Sequence, residues 1–273
     1  MSDWRLSKIP ALRIGVRGWL RVFLRGGALG GVTYGGLVVL LLARLVERPL
    51  YGLNRPVTPH ITQFVCRSAF VILGIGYSTC GTPMRCPGAV VANHGSWLDI
   101  FTLNAAQRVY FVAKSEVAAW PAIGWLARAT GTVFIARKGS DAKAQQKLFE
   151  TRLRAGHPLL FFPEGTSTDA IRMLPFKSTL FAAFFSHDLE QQLHIQPVTV
   201  IYHAPEGQDA RFYGWWGDMS FGSHLLKVLA ARRHGRVEVI FHDPVAADDF
   251  ADRKSLAAYC ERVIRTSYPH TPD

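Results

Sequence analysis

Two short polar motifs in this chain contain the residue types that perform acid–base chemistry. Residues 93–99 read Asn-His-Gly-Ser-Trp-Leu-Asp, residues 162–166 read Phe-Pro-Glu-Gly-Thr, and each motif follows an apolar run typical of a strand. Polar groups at the ends of buried strands are where α/β proteins place their chemistry, because the strands fix them and the loops leave them open to substrate. These residue types predict a general base, the carboxylate that orients it and a substrate-binding acid, namely His94, Asp99 and Glu164.

The five-residue spacing of His94 and Asp99 allows a curved loop to bring the carboxylate back to the imidazole. Such a contact fixes one tautomer of the ring, leaves the other ring nitrogen free to accept a proton, and stabilises the imidazolium that forms. The simpler alternatives are a loop histidine that only packs and an aspartate that only favours a helix amino terminus. The chain has no Gly-x-Ser-x-Gly nucleophile elbow. A base without a protein nucleophile predicts direct attack by a substrate hydroxyl or by water.

Strands and helices alternate after residue 81, and these elements must position the two motifs. The predicted strands are residues 89–92, 109–112, 131–135, 158–162, 195–202 and 236–241. The predicted helices are residues 98–106, 120–129, 141–155, 179–186 and 253–266. This alternation predicts an α/β fold with a central mixed sheet flanked by helices.

The first 80 residues have the pattern of a membrane anchor. Residues 26–43 contain no charged side chain, a length that is borderline for crossing a bilayer core, which needs about 20 apolar residues. A second apolar run, residues 69–77, is too short to span alone. We therefore predict a membrane-anchoring helical segment over residues 1–80, embedded or spanning, and an α/β domain over residues 81–273. The alternatives are a buried core helix and a cleaved signal peptide, and the second is disfavoured because charged residues stand where a cleavage site would lie.

The formal net charge of +11 and the hydrophobic content of 49% predict a lipid surface as a partner. The amino terminus includes four arginines spaced four residues apart, Arg13, Arg17, Arg21 and Arg25. On a helix they would lie along one face and meet anionic headgroups. Nucleic acid is disfavoured, because no helix-turn-helix, zinc-finger or RNP-type motif accompanies the charge. The four cysteines contain no C-x-x-C pair, so the sequence predicts neither a metal site nor a cofactor.

Four motifs, in a fixed order, carry a resemblance to a known family. The first is a histidine, four variable residues and an aspartate, and the third is the Phe-Pro-Glu-Gly-Thr motif. The second is a glycine, a short hydrophobic strand and an arginine, at residues 131–137, and the fourth is a strand with a central proline, at residues 195–198. The chain therefore resembles the glycerolipid acyltransferase family, typified by bacterial 1-acylglycerol-3-phosphate acyltransferase.

The resemblance implies transfer of a fatty acyl group from acyl carrier protein or coenzyme A to a lysolipid hydroxyl, most directly that of 1-acyl-sn-glycerol-3-phosphate. It implies an enzyme at the bacterial inner membrane with its active site on the cytoplasmic face. His94 would take the hydroxyl proton, and Asp99 would hold the ring. Arg137 and Glu164 would bind the acceptor's head group, and backbone amides near Gly165 and Thr166 would stabilise the oxyanion. The substrate-binding set is Arg137, Glu164, Gly165, Thr166 and Lys177.

One departure from the family pattern leaves the acceptor open. Many members place a basic residue directly after the third motif, where this chain reads Ser-Thr-Asp at residues 167–169. Serine brings no charge to a dianionic phosphate, although Arg172 and Lys177 can compensate. With the segment 213–219, this departure resembles a proteobacterial subgroup that includes lyso-ornithine lipid acyltransferases, whose acceptor carries an amine and a carboxylate. A non-enzymatic lipid-binding protein is the third alternative, which the intact motifs disfavour.

Overall fold

The centre of the molecule is one mixed β-sheet. The architecture is that of a computed structural model, which describes residues 4, 13–135, 142–185 and 193–268. The strands are β1 (Gly76–Cys80), β2 (Gly88–Ala92), β3 (Tyr110–Lys114), β4 (Val133–Ile135), β5 (Leu159–Phe161), β6 (His194–His203), β7 (Arg236–Phe241) and β8 (Val245–Ala246). They form an eight-stranded sheet of order β1-β7-β6-β2-β5-β3-β4, with β8 paired to β6.

Helices cover this sheet and extend from it at the amino terminus. They are α1 (Val16–Tyr51), α2 (Thr58–Leu73), α3 (Asp99–Ala106), α4 (Ile123–Ala129), α5 (Ala142–Arg154), α6 (Phe221–Ala230) and α7 (Arg253–Ser267). The predicted fold class, a central mixed sheet flanked by helices, is confirmed. A short 3₁₀ turn at Leu180–Phe185 stands where a helix over residues 179–186 was predicted, and a second 3₁₀ turn at Ser115–Ala119 precedes α4.

The strands at the centre of the sheet run parallel, which brings their carboxyl ends to one edge. β2 pairs in parallel with β5 and with β6, and β5 also pairs in parallel with β3. Every residue of β2 and β5 is buried, as expected of strands covered on both faces. The two polar motifs follow β2 and β5 and therefore meet at the same edge. On the other side of β6, β7 and β8 pair with it in the antiparallel sense.

Two hydrophobic cores lie on opposite faces of the sheet. Val90 belongs to a core that includes Leu73 of α2 and Leu103 of α3, whereas its neighbour Val91 belongs to a core that includes Leu256 of α7. Neighbouring residues of a strand point to opposite faces, so a continuous apolar run such as β2 fills both cores. The sheet is thus held rigidly between two helix layers.

α1 is a 36-residue helix that lies along the α/β domain. Near its beginning, Arg21 Nε donates a hydrogen bond to the Ala230 carbonyl at 2.8 Å, and Arg25 Nη1 donates one to the Ala231 carbonyl at 2.6 Å. These carbonyls lie at the carboxyl end of α6, where a helix leaves carbonyls unpaired and cations are favourable. Arg21 and Arg25 thus bind α6, and their contact with anionic headgroups stays a prediction. The other two arginines of that series are exposed.

Further along, α1 packs against α2, and the outer faces of both helices are apolar. A Cβ on Gly36 would lie 2.4 Å from the Val65 side chain, so the two backbones approach closely at this glycine. Exposed apolar side chains on the two helices include Phe23, Leu42, Leu45, Phe64 and Val71. Within the described part of the chain, α1 is the one helix that is long and apolar enough, by length and composition, to cross a membrane.

The domain boundary predicted at residue 80 cuts the sheet. Residues Gly76–Cys80 form β1, which pairs in parallel with β7. The helical segment therefore ends with α2 at Leu73, and the α/β domain begins at β1. The sequence did not predict this strand because four of its five residues are exposed, so it lacks the apolar alternation of a half-buried strand.

Candidate active site

The loop between β2 and α3 holds His94 against Asp99. His94 Nδ1 lies 2.7 Å from Asp99 Oδ2, and the same oxygen accepts hydrogen bonds from the backbone amides of Gly95 and Ser96 at 2.9 and 3.0 Å. Asp99 is fully buried, whereas 19% of the His94 side chain is exposed. An ionised carboxylate only accepts, so Nδ1 carries the ring proton and Nε2 is left to accept one. The structure brings the two predicted residues together.

Phe162, from the third motif, lies flat against the His94 imidazole. The two ring centroids are 4.0 Å apart and the ring planes are inclined by only 10°. Phe111 of β3 stacks on Phe162 in turn, with ring centroids 6.0 Å apart. The plane of the imidazole is therefore set by packing, while its rotation within that plane is set by the Asp99 carboxylate.

Glu164 joins the two motifs through the backbone. Its Oε1 accepts a hydrogen bond from the His94 amide at 2.7 Å, and its Oε2 accepts one from the Leu174 amide at 2.7 Å. The side chain is 1% exposed, and burial raises the pKa of Glu164 to about 8. Because both oxygens bind backbone amides inside the protein, the carboxylate is not presented to a substrate. The predicted contact between Glu164 and the acceptor's head group stays a prediction, which these two bonds do not favour.

At the Gly165 turn, one of the two backbone amides predicted to bind the oxyanion makes no hydrogen bond within the described protein. Gly165 has a φ of +75°, a conformation that favours glycine, and its amide donates to the Phe162 carbonyl at 3.1 Å. The Thr166 amide has no hydrogen-bond partner among the described residues. The Lys177 ammonium lies over the same turn, 3.1 Å from the position of a Cβ on Gly165. Lys177 and Thr166 therefore stay candidates for substrate contact, whereas the Gly165 amide belongs to the turn.

Later segments of the chain donate hydrogen bonds to the backbone carbonyls of the loop that carries His94. Thr168 donates to the His94 carbonyl from its amide at 2.9 Å and from its hydroxyl at 3.2 Å. The Trp215 amide donates to the Gly95 carbonyl at 3.0 Å. A Cβ on Gly95 would lie 3.0 Å from Ala170, so a side chain at this position would push the two loops apart. This positioning contact of Thr168 was not predicted from the sequence.

Arg137 lies outside the described residues, and its contact with the head group stays a prediction. The strand before it, β4, ends at Ile135 and pairs in parallel with β3. The carboxyl end of β4 therefore lies at the same edge of the sheet as His94.

Tyr202, which the sequence analysis treated only as the end of a strand, contacts the second oxygen of Asp99. Its hydroxyl donates to Asp99 Oδ1 at 2.6 Å. The two-residue period of β6 places Val198, Val200 and Tyr202 on one face of the strand. All three belong to the core beneath α3. A tyrosine hydroxyl at a buried strand position needs a hydrogen-bond partner, and this was the one signal available in the sequence.

No metal centre accompanies the site within the described parts of the chain. No group of three or more histidine, cysteine or carboxylate side chains there has an arrangement that could hold an ion. His224 is buried on α6, where its Nδ1 accepts a hydrogen bond from Trp97 Nε1 at 2.8 Å. Burial lowers the pKa of His224 to about 4, so the ring is neutral near pH 7.

Comparison with known proteins identifies a matching family and several similar proteins. The sequence profile of the Acyltransferase family matches residues 82–201. The chain is 62% identical over 246 residues, 90% of its length and 89% of the relative's, to the lyso-ornithine lipid O-acyltransferase of Rhodobacter capsulatus. It is 36% identical over 202 residues, 73% of its length and 77% of the relative's, to the 1-acyl-sn-glycerol-3-phosphate acyltransferase of Neisseria gonorrhoeae. The crystal structure of a Thermotoga maritima 1-acyl-sn-glycerophosphate acyltransferase shares the fold, with a TM-score of 0.63 and 21% identity over 93% of this chain and 95% of that one.

Proposed function

The chain belongs to the glycerolipid acyltransferase family and is an acyltransferase, and we propose that it moves a fatty acyl group from a thioester to the free hydroxyl of lyso-ornithine lipid. The sequence alone favoured 1-acyl-sn-glycerol-3-phosphate as the acceptor and kept lyso-ornithine lipid as the alternative. The comparisons favour the alternative, because the relative with that activity is 62% identical over 90% of the chain, against 36% over 73% for the glycerophosphate enzyme.

The loop after the third motif supports an acceptor other than a phosphate. Asp169 is fully buried, and its carboxylate accepts a hydrogen bond from the Arg172 amide at 2.9 Å and pairs with the Arg172 guanidinium. Arg172 therefore does not supply an uncommitted charge in place of the basic residue that the family often has. Lys177 remains at the turn as a cation without an ion-pair partner among the described residues. The charge that Lys177 supplies among the described residues suits the single carboxylate of an ornithine head group.

The observation that best supports acyl transfer is the contact of His94 Nδ1 with the buried Asp99 carboxylate. In the proposed reaction, His94 Nε2 takes the proton of the acceptor hydroxyl while that oxygen attacks the thioester carbonyl. Asp99 stabilises the imidazolium, and the Thr166 amide is the candidate donor to the oxyanion. The oxyanion then collapses, the C–S bond breaks, and the imidazolium returns its proton to the departing thiolate. The thiol carrier is acyl carrier protein or coenzyme A, and the reaction needs no metal or cofactor.

The proposal places the enzyme on the cytoplasmic face of a bacterial inner membrane, with α1 lying in the plane of the surface. α1 contacts α6 at its beginning and α2 and α4 further along, and its 36 residues extend about 54 Å. A helix that packs along the α/β domain over this length does not cross the bilayer while the domain stays on one side. Its exposed apolar side chains would insert among the acyl chains of one leaflet.

An acceptor assay tests the proposal. Protein purified in detergent is offered a labelled acyl thioester with lyso-ornithine lipid or with lysophosphatidate, and kcat/KM is measured for each. We expect the higher value for lyso-ornithine lipid, and a preference for lysophosphatidate would overturn the acceptor.

A pair of variants in the same assay tests the base. His94→Ala should reduce transfer by about 100-fold or more with an unchanged melting temperature. His60→Ala, at an exposed position on α2, is the matched control and should keep full activity. Near-normal turnover of His94→Ala would remove His94 as the base whichever acceptor is used.

A further inference from the structure

Two buried hydroxyl groups form a chain of hydrogen bonds that ends at Asp99 Oδ1. Thr102 Oγ1 lies 3.0 Å from Tyr202 Oη, which lies 2.6 Å from Asp99 Oδ1. All three side chains are buried. Asp99 and Thr102 lie on α3 and Tyr202 lies on β6, so these contacts cross from the helix to the sheet. They are separate from the bonds that the backbone loop makes to Asp99 Oδ2.

The directions of these hydrogen bonds follow from the chemistry of the three groups. An ionised carboxylate has no proton to give, so the Tyr202 hydroxyl donates to Asp99, and Tyr202 Oη in turn accepts the Thr102 hydroxyl proton. Burial and the neighbouring Asp99 charge raise the pKa of Tyr202 well above its ordinary value. Tyr202 therefore keeps its proton, and remains a donor, at any pH at which the enzyme works.

We propose that Tyr202 is a positioning residue of the acyl-transfer reaction, which acts on His94 through Asp99; this rests on the role of His94 as the base. Asp99 Oδ2 has three partners, the His94 ring and two amides. Asp99 Oδ1 has one partner among the described residues, the Tyr202 hydroxyl. Without that hydroxyl, a buried anionic oxygen would be left unpaired and the carboxylate plane would be held less firmly, although the contacts of Oδ2 with the His94 ring and the two amides remain.

Loss of the Tyr202 hydroxyl should also change the proton affinity of His94. With no donor on Oδ1, more of the carboxylate charge is available at Oδ2, beside His94 Nδ1. A stronger negative charge there stabilises the imidazolium that forms when His94 takes a proton. The acid limb of the kcat/KM profile reports the base of the free enzyme, so this limb should move to higher pH.

The test compares Tyr202→Phe with Tyr77→Phe. The Tyr77 hydroxyl donates to the Thr102 carbonyl at 3.0 Å, so it bonds to the same helix without touching Asp99. For Tyr202→Phe we expect kcat to fall about tenfold with an unchanged acceptor KM, and the acid limb to move upward. For Tyr77→Phe we expect neither change, although both variants lose one buried hydrogen bond. Equal kcat values and equal pH profiles for the two variants would overturn the proposal.

Two further measurements separate positioning from a purely structural role. In an Asp99→Asn background, Tyr202→Phe should cause little further loss, because the path to His94 is already broken; a full tenfold loss there would overturn the proposal. If Tyr202→Phe does not fold, Thr102→Val decides the question. It removes the donor to Tyr202 Oη and should lower kcat by a smaller factor, with the same upward shift of the acid limb. An unchanged kcat and pH profile in a folded Thr102→Val would contradict the role of Tyr202.

Discussion

The backbone amide of His94 donates a 2.7 Å hydrogen bond to the Glu164 carboxylate, so the acid of one motif positions the base of another. The second oxygen of Glu164 binds the Leu174 amide, which follows the loop that also carries Thr168. Three segments that are distant in sequence are therefore joined at one buried carboxylate. Disturbing it should change where the imidazole stands and leave acceptor binding largely intact.

Replacement of Glu164 by glutamine should lower kcat about tenfold and leave the acceptor KM nearly unchanged. Glutamine keeps one acceptor oxygen but turns an NH₂ group toward the second amide, so one of the two bonds is lost. Steady-state kinetics with varied acceptor measure both constants. Glu261→Gln is the matched control, because Glu261 accepts from the Phe176 amide at 2.8 Å outside the site. A raised acceptor KM with a normal kcat would instead indicate that Glu164 binds the acceptor's head group.

Glu164 should make a contribution to the stability of the protein that falls as the pH rises from about 5 to 8. Its pKa is about 8 when folded, above the ordinary value of 4.5. Between these values the unfolded chain has released the proton while the folded protein keeps it, so the free energy of unfolding decreases with increasing pH. Melting temperatures across this range should decline less steeply in Glu164→Gln. Parallel curves for the two proteins would show that the group does not titrate in this way.

Replacement of Lys177 by alanine should raise the acceptor KM several-fold with little change in kcat. The ammonium lies over the Gly165 turn, where it can bind an anionic group of the acceptor equally in the ground and transition states. Lys254→Ala removes an exposed lysine at the beginning of α7 and should leave both constants unchanged. Identical kinetics for the two variants would exclude Lys177 from acceptor binding.

The four amino-terminal arginines should divide into two pairs with different phenotypes. Arg21→Ala and Arg25→Ala remove bonds to the carboxyl end of α6 and should each lower the stability by about 1 kcal/mol. Arg13→Ala and Arg17→Ala change exposed cations and should instead weaken binding to anionic vesicles. Melting temperatures and vesicle sedimentation distinguish the pairs. Equal loss of vesicle binding in all four variants would support the headgroup contact that the sequence suggested.

The parts of the fold that the sequence predicted are those with a strong local pattern. β2 and β5 are short apolar runs that end in polar motifs, and both were located within one residue at either end. α6 was missed, as was the exposed strand β1. The spacing of His94 and Asp99 also sufficed to predict their contact, because a single loop forms it.

The contacts that the sequence did not predict depend on how distant segments meet. In the sequence, Glu164 has the features of a substrate ligand, because its burial cannot be read from the local pattern. The two amides that it binds are 70 and 10 residues away in the chain. Arg21 and Arg25 have the spacing of a lipid-facing stripe, but the carboxyl end of α6 lies against them. Neither partner follows from local periodicity, since each depends on how helices and loops dock on the sheet.

The packing of α1 on the α/β domain limits how far the protein can be shortened at its amino terminus. Leu29 of this helix belongs to the same core as Leu229 of α6 and Phe70 of α2. Deleting the first 52 residues to obtain a water-soluble fragment would uncover apolar surface that the helix now shields. Such a truncation should yield aggregated material, since the segment proposed to meet the lipid also completes the interior of the enzyme.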